Sequence, residues 1–301
     1  MPELPEVETV RARLAPVLTG RRFDRVEIHD PRLVRPYEPT EVAAELEGER
    51  VGSVERRGKY LIVRFESGRV LLIHLRMTGS FRHAANGSLE NDPHRRAVVR
   101  LDNGSDVGYR DMRRFGTWLL LEPGEVEKYL AARIGDEPLD VLFTAARLGE
   151  RLARRRAPIK AALLDQRTLA GVGNIYADEA LWRARVHPLR PAQSLDRNEL
   201  RRLHRGIRAA LEHGIVREGS TLRDYALPDG TSGSMQREFR VYGRSGDPCD
   251  RCGAAIAKTR VAGRSTWFCP RCQPLGHRSP EPQAASRSAR RPSRSRRQSS
   301  V

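Results

Sequence analysis

The sequence predicts an α+β multidomain protein: an N-terminal antiparallel β-sandwich with a flanking N-terminal helix, a helical domain, and a C-terminal zinc ribbon. Three observations carry this. Apolar residues at the start recur with helical spacing, the following stretch alternates as paired short strands, and the four cysteines form two C-x2-C pairs near the end. At 301 residues the chain is long enough for two or three domains with separate cores. It contains no internal repeat.

The elements follow in order. Leu4, Val7, Val10, Leu14, Val17 and Leu18 share one helical face, Pro5 suits the first turn, and Gly20 suits the position after the C-cap. Pro16 loosens the last turn. From about Arg22 to Glu122 the pattern is that of strands. Tyr60–Phe65 and Val70–Leu75 flank a Ser67-Gly68 turn, and Val98–Leu101 and Asp106–Tyr109 flank Asn103-Gly104, a two-residue hairpin signal. Trp118–Leu121 reads as a further buried strand. Consecutive hairpins with little helix between them suggest a sandwich or flattened barrel.

Helical signals return from about Pro123 to Arg217. Leu195, Leu200, Leu203, Ile207 and Leu211 form one apolar face, with Ser194 or Asp196 as N-cap. Leu169–Ala177 places a glycine-rich turn directly before another helix. Residues 218–248, rich in Gly, Ser and charge, read as a mobile loop leading into Arg240-Val-Tyr-Gly. After Gln273 the chain is Ser/Arg/Pro-rich with almost no large apolar side chain, which predicts disorder. The resulting division is 1–133, 134–239, 240–273 and a tail, 274–301.

Hydrophobic residues make up 39% and charged residues 31%, which suits a soluble globular protein. No apolar run approaches the roughly 20 residues of a membrane span. The first residues carry acidic charge where a signal peptide carries positive charge, so the expected location is the cytoplasm, beside the chromosome in a bacterium. The net charge of +17 points to a polyanionic partner, nucleic acid first of all. An arginine excess set by base composition alone is the alternative source. Seven Arg against one Glu put six of the positive charges in residues 273–301, and the rest of the chain remains strongly basic.

Cys249, Cys252, Cys269 and Cys272 have the spacing of a tetrathiolate zinc site, with no cysteine left over. A disulfide pair is the alternative, disfavoured in a reducing compartment. Four sulfur ligands leave no open position for water, so the metal is structural.

Met1-Pro2-Glu3-Leu4-Pro5-Glu6-Val7-Glu8-Thr9 supports two readings. One is an ordinary helix start, with Pro in the first turn and acidic residues favoured by the dipole. In the other, removal of Met1 leaves Pro2 a free secondary amine. An α-amino group titrates near ~8, so part of it is neutral and nucleophilic at cellular pH. Attack on a sugar C1′ would expel a base and leave an iminium that acidifies the C2′ protons. Glu3 is the adjacent proton-transfer group.

This opening resembles that of the formamidopyrimidine-DNA glycosylase family, and the likeness continues in the family's order. It runs through Arg57-Gly-Lys59-Tyr, His74-Leu-Arg-Met77-Thr-Gly, Arg113-Arg114-Phe115-Gly, Ile159-Lys160, Gly171-Val-Gly-Asn174-Ile-Tyr and Val241-Tyr-Gly-Arg. It ends with Gly263-Arg264-Ser-Thr before Cys269, and so covers about residues 2–273.

The resemblance implies a β-sandwich, a helix-two-turn-helix domain over 134–239 with a base-capping loop near 220–238, and a zinc hairpin, with duplex DNA in the cleft between domains. It implies Pro2 as nucleophile and Glu3 as acid/base. Lys59 would donate a proton and hold a phosphate during β-elimination, and Arg264 would grip the same backbone and assist δ-elimination. His94, Arg114, Arg154, Lys160 and Asn174 would contact DNA. Met77, Arg113 and Phe115 would fill the gap left by an everted base, which offsets the lost stacking. His74 reads mainly as a strand residue satisfied by hydrogen bonds.

Two residues depart from the pattern: Arg76 stands where glycine is common, and Met112 where proline is common. The implied activity is excision of oxidised purines (8-oxoguanine, formamidopyrimidines) followed by β- and δ-elimination, by a monomer. The rivals are the related endonuclease VIII branch, which takes oxidised pyrimidines, an inactive zinc-ribbon DNA-binding protein, and an RNA-binding module.

Overall fold

The computed structural model describes residues 1–85, 89, 91–221 and 227–276. Most of the expected basic tail and the middle of the expected base-capping loop lie outside the described residues. Among the described residues, no helix is long and apolar enough to cross a membrane.

Helix α1 (Leu4–Leu18) opens the chain and carries Pro16 within its last turn. β1 (Phe23–Ile28) follows, then α2 (Pro39–Leu46), β2 (Val51–Arg57), β3 (Tyr60–Phe65) and β4 (Val70–His74). β5 (Gly79–Ala84), β6 (Arg95–Leu101), β7 (Asp106–Asp111) and β8 (Thr117–Leu121) complete two four-stranded antiparallel sheets, ordered β1-β6-β7-β5 and β2-β3-β4-β8. Gly104 takes φ +81° in the β6–β7 turn, as the Asn-Gly signal requires. The short helix α2 breaks the expected run of strands. It buries only Val42 and Leu46, one i,i+4 pair, too short a period to stand out in the sequence.

The sheets pack face to face. Leu61, Val63, Leu71 and Ile73 meet Phe81, Val99, Val107 and Tyr109 in one core, joined by Val7, Val10, Leu14 and Leu18 of α1. Ile62, Leu72 and Leu121 point the other way, under α3 (Glu125–Ala131). Burial on both faces explains why β3 and β4 read as continuous apolar runs.

α4 (Ala145–Leu152), α5 (Ile159–Leu164), α6 (Asn174–Ala184) and α7 (Arg197–Val216) form the helical domain. Asp196 caps α7 by accepting from the Asn198 and Glu199 amides. Leu4 belongs to this second core although the rest of α1 belongs to the first. β9 (Ala257–Val261) and β10 (Arg264–Phe268) form the C-terminal hairpin.

Gly206 sits where α7 crosses α6. A Cβ there would lie 2.8 Å from the Ala180 carbonyl oxygen. Gly206→Ala gains about 1 kcal/mol of helix propensity. Forcing the helices apart costs about 1–3 kcal/mol. We expect a net loss, read as a lowered melting temperature; an unchanged or raised one would show that the crossing can relax.

Candidate active site

Pro2 and Glu3 are buried at the start of α1, where the sandwich meets the helical domain. The Glu3 carboxylate docks on the N-terminus of α6: Oε1 accepts from the Ile175 amide at 2.9 Å and Oε2 from the Tyr176 amide at 3.3 Å. First-turn amides and the helix dipole favour an anion there. The approach needs glycine. A Cβ on Gly173 would fall 2.3 Å from Glu3 Cδ, and Gly171, at φ +85°, would meet Leu4 at 2.7 Å. The Gly171 carbonyl in turn accepts from the Leu4 amide at 3.0 Å.

Glu6 is the second buried carboxylate. Oε2 accepts from the Glu3 amide at 2.9 Å, and Oε1 accepts from the Tyr176 hydroxyl at 2.9 Å and the Ser220 amide at 2.8 Å. It thus links α1, α6 and the start of the loop after α7.

Lys59 is 5% exposed and faces this pair. Burial pushes the Glu3 carboxyl above its usual range, against the pull of Lys59, which is the largest influence in the other direction. Burial likewise pulls the Lys59 ammonium down, against the charges of Glu3 and Glu6. Both groups are driven toward their neutral forms, which brings their proton affinities closer and suits proton transfer.

Sequence reasoning missed the residue that sets the Lys59 turn. Glu137 Oε2 accepts from the Gly58 amide at 2.9 Å, and Oε1 pairs with Arg56 at 2.6 Å. Arg56 also pairs with Glu8 at 2.9 Å, and Arg57 donates to the Gly135 carbonyl at 3.0 Å. The β2–β3 turn is therefore clamped to the segment entering the helical domain. No local pattern marks Glu137, because its partners lie about eighty positions away.

Lys160, expected at a phosphate, is fully buried instead. Its ammonium pairs with Asp178 at 2.8 Å and donates to the Ser265 carbonyl and the Thr266 hydroxyl at 2.9 and 2.8 Å. Asn174 Nδ2 donates to the same Ser265 carbonyl at 3.1 Å, and Asp178 accepts from the Trp267 amide at 3.1 Å. These contacts seat β10 against α5 and α6. Arg264, the first residue of β10, is exposed beside them, and its positive charge reaches both Lys59 and Lys160.

The expected wedge residues lie on two loops joined by buried Asp111. Asp111 accepts from the Thr78 hydroxyl, from the Arg113 amide at 3.2 Å and from the Gly116 amide at 2.7 Å. Met77 is half-buried. Phe115 is 51% exposed, with the Arg113 guanidinium 4.8 Å from its ring centroid. Arg76 takes φ +53°, the left-handed region where glycine fits without strain. The His74 ring accepts from the Arg76 amide at 2.9 Å through Nδ1, and burial pulls its pKa down to about 3, so it is a neutral strut for this turn.

Arg114 is half-engaged: it grips Asp30 bidentately at 2.5 and 2.8 Å. His94 is half-buried, with its ring 3.4 Å from Arg96. Arg154 is exposed just beyond α4.

The four cysteine sulfurs lie within 4.8 Å of one another, with Cys249–Cys272 at 4.0 Å and Cys252–Cys269 at 3.5 Å. A tetrahedron with Zn–S bonds of about 2.3 Å has edges of about 3.8 Å, so the set fits one zinc ion. Cys249 Sγ accepts from the Trp182 indole N–H at 3.4 Å, and the Cys272 amide donates to Cys269 Sγ at 3.4 Å, as zinc thiolates commonly require. Glu179 accepts from the Arg240, Val241 and Tyr242 amides, which anchors the entry to this module on α6.

Comparison with known proteins agrees along the chain. Residues 1–118 match the formamidopyrimidine-DNA glycosylase N-terminal domain, residues 134–226 the H2TH domain of the same enzymes, and residues 246–275 a zinc finger found in FPG and IleRS. The formamidopyrimidine-DNA glycosylase of Symbiobacterium thermophilum is 47% identical over 98% of this chain and 95% of its own. A variant of Lactococcus lactis Fpg, solved with Fapy-dG-containing DNA, superposes with a TM-score of 0.85 at 39% identity, covering 91% of this chain and all of that one. The Thermus thermophilus MutM (Fpg) structure gives 0.81 at 44% identity over 92% of this chain and all of that one. The chain therefore belongs to the formamidopyrimidine-DNA glycosylase family.

Proposed function

We propose that the chain is a bifunctional DNA glycosylase and AP lyase that removes oxidised purines from duplex DNA. The observation that supports this best is the junction of Pro2, Glu3 and Lys59, a potential amine nucleophile buried beside two ionisable groups that burial drives toward neutrality. With Met1 removed, the Pro2 nitrogen attacks C1′ and the base leaves with the bonding pair and a proton. Opening of the sugar yields an iminium. Loss of a C2′ proton then expels the 3′ phosphate, and a second elimination expels the 5′ phosphate. Glu3 carries protons for the amine and sugar. Lys59 and Arg264 hold the phosphates, while Met77, Arg113 and Phe115 fill the vacated stack.

Phosphate contacts fall to Asn174, Arg114, Arg154 and His94, and Lys160 instead positions the hairpin that carries Arg264. The zinc ion, held by Cys249, Cys252, Cys269 and Cys272, supplies folding energy to that hairpin and no chemistry. We read the chain as a catalytic sandwich (1–133), a DNA-binding helical domain (134–239), a zinc hairpin (240–273) and a basic tail (274–301), working as a monomer in the bacterial cytoplasm. One finding widens the substrate reading. Wild-type Lactococcus lactis Fpg, 38% identical to this chain, has been solved with DNA containing an oxidised pyrimidine. Borohydride trapping on duplexes carrying 8-oxoguanine or an oxidised pyrimidine tests the iminium and ranks the two lesion classes.

Protein with Met1 demonstrably retained should give no trapped complex while still binding lesion DNA. Trapping at wild-type yield would remove Pro2 as nucleophile.

Lys59→Met removes the largest influence holding the Glu3 carboxyl down. Glu3 should then titrate at higher pH and be less ionised at neutrality, as read by carboxyl 13C shifts against pH. A Glu3 titration that stays in place or moves down would show that the two charges are not coupled.

Cys249→Ser should lose zinc and tight DNA binding while the sandwich stays folded. Arg264→Ala should keep zinc and the fold but weaken DNA binding and the later elimination. Wild-type affinity in a demonstrably zinc-free Cys249→Ser protein would overturn the assigned role of the hairpin.

A further inference from the structure

At the end of α6 remote from Glu3, a cavity of about 480 Å³ opens between the helical domain and the back of the zinc module. Its wall carries Arg185, Arg190, Arg202, Arg251 and Arg271 against a single carboxylate, Glu199. That carboxylate is fully engaged: it takes both terminal nitrogens of Arg190 at 2.9 and 3.1 Å and the Asp196 amide at 3.0 Å. Arg202 gives one N–H to the Ala184 carbonyl at 3.1 Å. Arg251 gives one to the Trp182 carbonyl at 3.1 Å and lies over the Trp182 ring. Arg185 and Arg271 are exposed, and neither has a carboxylate partner among the described residues. Cys252 and Cys272 also line the cavity, so with zinc bound the tetrathiolate adds a formal charge of about −2. Five guanidiniums against that and Glu199 leave an excess of about +2, and four of the five keep N–H groups not taken by a carboxylate.

An arginine-rich composition does not by itself produce this. Several arginines elsewhere are neutralised in place: Arg69 reaches Glu45, Glu49 and Glu122, and Arg56 bridges Glu8 and Glu137. Here positive charge is gathered instead. Gly276 also lines the cavity, and the sequence beyond it holds seven Arg against one Glu. Such a concentration costs self-repulsion that a bound polyanion relieves.

We propose that this cavity is a second phosphate site, filled by backbone phosphates of DNA outside the lesion-holding cleft. Planar guanidinium forks match phosphate oxygens bidentately. DNA is the occupant because the proposed activity already brings it to the protein, and on that reading the inference rests. The site is separate from the cleft. α6 has 11 residues, so its two ends lie roughly 16 Å apart at about 1.5 Å per residue. A grip here holds undamaged DNA without touching the reacting sugar.

The test compares the full chain with its R185Q/R271Q variant, which substitutes no residue of the catalytic cluster and no cysteine, and leaves the Arg271 backbone amide in place beside Cys269. Binding to an undamaged duplex several helical turns long is measured across a series of salt concentrations. Two lost phosphate contacts at about 0.9 each should make the log–log salt slope shallower by about 1.8. Zinc content and borohydride trapping on a lesion duplex of about one turn should match wild type. An unchanged slope on the long duplex overturns the proposal. So does a variant that loses calorimetric binding of inorganic pyrophosphate with its DNA slope intact, since the cavity then serves small anions. Failure of the wild type to trap on the short duplex would instead count against the glycosylase reading, so the two failures are distinguishable.

Discussion

The Glu3 carboxylate lies against the first turn of α6, and the relation between the two large domains follows from that contact. Two amides at one end of a helix receive a side chain from the start of another. From Val7 onward α1 belongs to the sandwich core, whereas Leu4 is enclosed by the helical core. The first residues of the chain are therefore held on both sides. Water is excluded, and the cost of burying a carboxylate is only partly offset by the amides and Lys59. The remaining imbalance moves the Glu3 carboxyl up and the Lys59 ammonium down, so the two lie closer in proton affinity than a surface Glu–Lys pair.

The same helix governs the other half of the site. Beyond the amides that hold Glu3, Asp178 holds Lys160 and the Trp267 amide, Glu179 holds the segment entering the zinc module, and Trp182 reaches a cysteine sulfur. α6 is a strut with the Glu3 carboxylate at its start and the hairpin along its flank. A buried ion pair such as Lys160–Asp178 adds little net stability, but losing one partner strands the other's charge, so the geometry that keeps both is strongly enforced. That enforcement places Arg264 relative to Glu3 although the two are far apart in sequence.

Much of this was legible in the sequence, and what was not has a common physical cause. Helical spacing located α1 and α7, because each buries one face over several residues, and apolar runs flanking Ser67-Gly68 and Asn103-Gly104 located the β3–β4 and β6–β7 hairpins. The cysteine spacing anticipated four sulfurs within bonding reach of one ion. The motif glycines foretold a tight turn, but not that Gly173 clears room for Glu3. Arg76 was visible as a departure from the family pattern, and its left-handed backbone explains why glycine is common there. Roles that depend on a distant partner stayed hidden. Lys160 was placed at a phosphate by the family resemblance, and only the fold brings Asp178 and β10 to it. Glu137 carried no signal at all.

The distribution of charge separates these roles. Among the described buried charges, Lys160 meets Asp178, Arg190 meets Glu199 and Arg56 lies between two glutamates. Those charges have settled partners and act as structure. The positive excess is carried outward, at Arg113 beside Phe115, at Arg264 on the hairpin and around the cavity behind the zinc module, where a polyanion can complete it. The junction of Glu3, Glu6 and Lys59 fits neither class. Burial opposes the charge of both Glu3 and Lys59, as it does at Lys160 and Asp178, where the Asp178 carboxyl is pushed up to about 7. Lys160 and Asp178 are nevertheless closed on each other at 2.8 Å and bound to the zinc hairpin, whereas Glu3 and Lys59 lie beside Pro2, where the proposed chemistry needs a proton carried.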